Sequence, residues 1–97
     1  MYTIYVKYIC LPQKRQAYLE KMKESGILAA IRAEEGCLRY DYYLSEQDEN
    51  ELLLLEQWET KAHQQVHLTQ PHMELLRTFK GEYIARTRLG ELQLKQL

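Results

Sequence analysis

Residues Leu52–Trp58 read LLLLEQW, and this run constrains the fold more than any other. In an extended chain, alternate side chains point to opposite faces. Leu52, Leu54, Glu56 and Trp58 therefore share one face, and Leu53, Leu55 and Gln57 share the other. Both faces carry apolar side chains, so both need covering. A chain of 97 residues is one small domain, residues 1–97, and has little spare material to cover both faces itself.

The flanking segments say what lies on each side. Tyr2–Cys10 (YTIYVKYIC) is rich in β-branched and aromatic residues and predicts a strand. Tyr2, Ile4, Val6, Tyr8 and Cys10 fall on one face; Thr3, Tyr5, Lys7 and Ile9 fall on the other. Helix formers run from Gln13 to Glu35, with Tyr18, Leu19 and Met22 on one side and a predicted break at Glu24–Gly26. Gly36 is the expected stop.

Cys37–Leu44 alternates again, with Leu38, Tyr40 and Tyr42 facing away from Arg39, Asp41 and Tyr43. Polar Ser45–Glu51 then predicts a hairpin into the leucine strand. Thr60 is a plausible N-cap for KAHQQVHL, and Pro71 suits the first turn of the next helix, which Gly81 closes. A last strand is expected to about Leu89, with the tail 90–97 either exchanging with a second chain or frayed.

The order βαββαβ gives an α+β plait, one antiparallel sheet with helices on one face. The bare face is expected to pair with a second copy, making a homodimer.

Composition removes several classes of function. Thirteen basic and 14 acidic residues give a net charge of −1 with no basic stripe, so no nucleic-acid partner is expected. The apolar run Leu52–Leu55 is four residues and no other approaches the length that spans a bilayer, so no membrane partner is expected and a cytoplasmic protein is the default. Cys10 and Cys37 are too few for a disulfide framework and read as small buried hydrophobes. Eight Tyr against one Phe is unusual. Buried tyrosine hydroxyls need partners, so the excess points to a wet pocket or an interface.

Four stretches then carry a family likeness: KYICLPQKRQAYL (Lys7–Leu19), EEGCLRYDYYL (Glu34–Leu44), LLLLEQWET (Leu52–Thr60) and HLTQPHM (His67–Met73). In that order and spacing the sequence resembles the antibiotic biosynthesis monooxygenase (ABM) domain family. The resemblance implies a ferredoxin-like fold, a dimeric α+β barrel formed sheet against sheet, and a pocket between sheet and helices. It implies one of several activities: oxidation of a quinol or polycyclic phenol by O2 without metal or flavin, haem opening, or isomerisation of a phosphorylated sugar.

Each candidate residue has an ordinary structural role beside its functional one. Trp58 would wall an aromatic pocket or fill the core. Glu56, on the same face, would take a proton or make a structural hydrogen bond. His67 and His72 match the two histidines of the family motif, and imidazole suits proton transfer near neutral pH. Either is a candidate base for deprotonating a quinol or an enolisable ketone.

Tyr8 and Tyr40 would offer hydroxyls to a substrate oxygen. Val6 stands at or near the position where haem-degrading relatives have Asn; it cannot hydrogen-bond, which disfavours haem. His63 and His67 have metal-ligand spacing, with His72 or Glu56 as a third group. The HExxH glutamate is missing, though, and no metal or other cofactor is expected. His63 is expected at the surface. Arg39, Arg86 and Arg88 would have to converge to serve a phosphorylated substrate.

The leading expectation is a cofactor-independent monooxygenase acting on a small aromatic or quinone-like substrate. An isomerase of a small phosphorylated ketone and a non-catalytic small-ligand-binding dimer are the alternatives.

Overall fold

The computed structural model describes residues 1–97. In chain order it contains β1 (Tyr2–Cys10), α1 (Arg15–Glu24), α2 (Ile27–Arg32), β2 (Cys37–Leu44), β3 (Glu51–Trp58), α3 (Lys61–His67), α4 (Pro71–Phe79), a single 3₁₀ turn at Lys80–Glu82 and β4 (Ile84–Leu92). The strands pair antiparallel in the order β2–β3–β1–β4. That is the expected ferredoxin-like α+β plait.

Local chemistry sets the joints. Gly26 adopts φ +80° between α1 and α2, a left-handed conformation that glycine takes without strain. The Thr60 side chain accepts the His63 backbone N–H at the start of α3, and Pro71 occupies the first turn of α4. Gly36 has φ +81°, and a β-carbon there would overlap the His63 ring. His63 therefore packs on the α2–β2 turn instead of standing free at the surface, and it is only partly exposed.

The core lies between the sheet and the helices. Ile4, Val6, Tyr8 and Cys10 of β1 and Leu52, Leu54 and Trp58 of β3 pack with Tyr18, Met22, Ile27, Ile31, Leu76 and Phe79. The inward faces are the ones the alternation predicts for β1 and β3. On the other face Leu53 and Leu55 are only half-buried, and Tyr43 is exposed. No helix is long and apolar enough to cross a membrane.

Two details differ from the expected strands. The β2–β3 register shifts between Cys37 and Arg39, so Cys37 lies opposite Trp58 and Arg39 opposite Gln57. Leu38 falls in that bulge and is 53% exposed instead of sharing the buried face of Tyr40. β4 also runs beyond Leu89. Gly90 pairs with Tyr5, Glu91 with Ile4 and Leu92 with Thr3, all within the chain. A β-carbon at Gly90 would sit 2.9 Å from Tyr5 Cε1, so the glycine is what lets the Tyr5 ring lie across this edge. Of the tail, only residues 93–97 lie beyond the strand.

Candidate active site

Trp58 is the last residue of β3, fully buried, and its indole N–H donates to Glu56 Oε1 at 3.1 Å. Glu56 lies opposite Ile4 on one side and Tyr40 on the other. The period-2 alternation thus carries a carboxyl into the core two residues before the indole that satisfies it. α3 crosses above. Its last residue, His67, is 1% exposed. The His67 ring lies 4.7 Å from the Trp58 ring at an interplanar angle of 35°, and 5.8 Å from Tyr40.

Glu34, from the α2–β2 connection, completes the group. Its Oε2 lies 2.7 Å from His67 Nδ1 and 2.7 Å from His72 Nε2. A carboxylate oxygen only accepts, so each imidazole is assigned as the donor. That fixes His67 as the Nδ1–H tautomer, with its Nε2 free of any hydrogen bond. Burial pulls the His67 pKa down, and the hydrogen bond and charge of Glu34 oppose the shift. A neutral imidazole held by a carboxylate has the form of a general base.

The inward face continues into an array of phenols. Tyr18 of α1 meets the rings of Tyr8 at 5.9 Å, Tyr42 at 6.3 Å and Tyr83 at 5.9 Å, while Tyr40 meets Tyr42 at 6.0 Å. The Tyr18 and Tyr42 hydroxyls are buried and have no partner. Such groups are rare in native proteins because each costs about 1–3 kcal/mol of lost solvation. Burial raises the Tyr8, Tyr40 and Tyr42 pKa values well above the usual phenol range and pushes Tyr18 up to about 12, so all four are neutral hydroxyls.

Burial raises the Glu56 pKa to about 7, opposed by the Trp58 hydrogen bond and by the charge of Lys80. Lys80 itself is lowered by burial, and its Nζ lies 4.8 Å over the Tyr8 ring.

The expected residues are thus partly assembled. Trp58, Glu56, Tyr40, His67 and His72 form one connected cluster. Tyr8 belongs to the adjoining phenol array, and Val6 is buried in the core opposite Leu54. Trp58, Tyr8 and His67 are each 3% exposed or less and packed among the core side chains. A cleft of about 450 Å³ opens beside the shared carboxylate, lined by Glu34, Glu35, Ala62, His63, Val66 and Gln70.

The His63–His67 spacing does not make a shared site, because His63 Nδ1 lies 2.7 Å from Thr60 Oγ1. The arginines do not converge on the cluster either. Arg39 bonds Asp41, Gln57 and Tyr43, and Arg86 and Arg88 line a cleft with Lys7 on the opposite sheet face.

Glu34, Tyr18, Tyr42 and Lys80 were not singled out from sequence as site residues. Glu34 stands beside Glu35 just ahead of Gly36, in a polar turn with no pattern that marks it. Its position three residues before Cys37, which opens β2 opposite Trp58, is the only local hint.

A family model described as antibiotic biosynthesis monooxygenase matches residues 1–77. Among solved structures, PA3566 from Pseudomonas aeruginosa is 21% identical with a TM-score of 0.84, covering 98% of this chain and 94% of that one. Rv0793 from Mycobacterium tuberculosis is 25% identical with a TM-score of 0.82, covering 99% and 96%. A protein described as an antibiotic biosynthesis monooxygenase is 18% identical with a TM-score of 0.83, covering 99% and 100%. No curated protein matches the sequence.

Proposed function

Since the chain belongs to the antibiotic biosynthesis monooxygenase family, we propose that it is a cofactor-independent monooxygenase oxidising a quinol or polyhydroxylated aromatic with O2. The observation that carries this reading is the buried His67, whose Nδ1 is held 2.7 Å from Glu34 Oε2 while its Nε2 is left unbonded. Family membership alone does not choose among activities.

The chemistry asks little beyond a placed base. His67 Nε2 takes the phenolic proton, and Glu34 steadies the imidazolium that forms. The electron-rich phenolate passes one electron to O2, and the resulting radical pair joins at a ring carbon as a hydroperoxide. Loss of the hydrogen on that carbon and cleavage of the O–O bond give a new carbonyl, with the second oxygen leaving as water. One O2 and one phenol thus yield one quinone and one water, with the base returned to its starting state.

In this reading Trp58 stacks beneath the imidazole, Glu56 and Tyr40 flank it, Tyr8 and Val6 lie behind them along β1, and substrate reaches Nε2 when the packed cluster opens beside the Glu34 cleft. The neutral phenols donate to substrate oxygens, and His72 is the second donor that fixes Glu34. The open sheet face, with Tyr5, Tyr43, Leu53 and Leu55, is the proposed contact of a homodimer.

No feature of the cluster favours the phosphorylated-ketone alternative. Arg39, Arg86 and Arg88 lie elsewhere, and the Arg77 guanidinium is held by the Leu68 carbonyl.

Oxygen consumption with a panel of benzo- and naphthohydroquinones tests the reading. Wild type is expected to consume O2 above the uncatalysed rate, with a smaller loss on His72→Ala than on His67→Ala. A panel that is not turned over at all would remove the monooxygenase assignment.

A further inference from the structure

Glu34 Oε2, His67 Nδ1 and His72 Nε2 all lie within 4.8 Å of one another. Two imidazole nitrogens and one carboxylate oxygen are the donor set that zinc and its first-row neighbours take. We propose that these three atoms form a site for one divalent transition-metal ion of the Zn²⁺ class, and that an ion bound there silences the base.

Three features support the site. The ligands come from three separate elements, the α2–β2 connection, α3 and α4, so the fold itself brings them together. Both nitrogens already point at the same oxygen, at 2.7 Å each. Donors around a metal at about 2.0–2.1 Å stand about 3.3 Å apart in a tetrahedron, so each nitrogen–oxygen contact opens by about half an ångström while the two nitrogens, within 4.8 Å of one another, close by up to about 1.5 Å. His72, in the first turn of α4 and partly exposed, has room to make that adjustment. Finally, there is an entry path. Glu34 forms part of the wall of the cleft of about 450 Å³, and water from that side supplies the fourth ligand.

The consequence follows from proton positions. Without an ion, His67 keeps its proton on Nδ1 for Glu34 and its lone pair on Nε2. Coordination through Nδ1 needs that lone pair instead, so the ring proton moves to Nε2. No proton is gained or lost, but Nε2 becomes a donor and no longer takes a proton from a phenol. The ion is therefore an inhibitor that competes with the Glu34 hydrogen bonds, not a reaction partner. Only this consequence rests on the monooxygenase reading; the site itself does not.

Titration of the chelator-treated full-length protein with Co²⁺, followed by its visible d–d absorption, and with Zn²⁺ by calorimetry, is the test. The expected result is one ion per chain, with affinity reduced at least tenfold in Glu34→Gln and in His72→Ala. In His63→Ala it should be unchanged within about twofold. Nitrogen-15 spectra should move the His67 ring proton from Nδ1 to Nε2 on Zn²⁺ binding, a signature that a surface ion would not produce. Absence of a Co²⁺ band in wild type overturns the site, as does affinity that depends on His63 and not on His72. If Zn²⁺ binds at the triad but quinol turnover by the loaded protein is undiminished, the silencing is overturned. Failure of every quinol to react would bear on the enzyme assignment and leave the binding result standing.

Discussion

The two faces of the sheet are built from the same strands with the same alternation, yet they bury opposite chemistry. The helix-covered face takes a carboxyl, an indole, an imidazole and four phenols out of water; Glu56, Trp58 and Tyr40 are each 5% exposed or less. The open face leaves Leu53 and Leu55 half-buried among Lys7, Arg39 and Asp41. The covered face buries these polar groups among Ile4, Val6, Leu52 and Leu54, where burial of a polar group is costly unless it is partnered. The proposed function takes the polar groups on the covered face as its chemistry and the leucines on the open face as its dimer contact.

The largest expected effect breaks the covered face at its centre. Trp58→Ala removes a fully buried indole and the only donor to Glu56, and should cost about 3–5 kcal/mol in urea denaturation. A loss below about 1 kcal/mol would mean that the indole is not the floor of the cluster.

Next, Glu56→Gln should sharpen the reading of the buried carboxyl. Its folded pKa of about 7 lies above the ordinary carboxyl value of 4.5. The folded state therefore holds the proton more tightly, and the stability this contributes is present below about pH 4.5 and lost as pH rises through about 7. At about 1.4 kcal/mol per pKa unit the loss amounts to about 3 kcal/mol. Glutamine keeps an acceptor for Trp58 and carries no charge, so the variant should gain on wild type between pH 5 and 8. Parallel stability curves across that range would contradict the assignment.

On the other face, Leu55→Arg places a cation opposite Asp41 and beside Tyr5. The change should shift fold stability by less than about 1 kcal/mol. If the proposed homodimer forms through this face, light scattering should nevertheless report dimer for wild type and monomer for the variant. Arg39→Ala, on the same face, should move stability by no more than about 1 kcal/mol, since the ion pair with Asp41 at 3.2 Å is half exposed.

The contrast between the faces was itself legible in the sequence. Period-2 alternation placed Tyr8, Tyr40, Glu56 and Trp58 on one side, and helical spacing put Tyr18 and Met22 over them. Short-range signals also found Thr60 and Pro71 at the helix starts. The bulge at Leu38 escaped that reading because two residues there face one on the neighbouring strand, and nothing in the residue types marks the slip. β4 was read too short because Gly90 looks like a terminator; its actual partner, the Tyr5 ring, is 85 positions away in the chain. Glu34 escaped for the same reason. Its role comes from histidines 33 and 38 positions away, and no local pattern encodes such a meeting.

The central claim is that His67, steered by Glu34, is the proton acceptor. Its most direct test is quinol-dependent oxygen uptake by His67→Ala, with and without added imidazole. The account predicts a loss of about 10²–10⁴-fold and partial recovery when free imidazole enters the space the side chain vacates. Wild-type turnover in the alanine variant would contradict it.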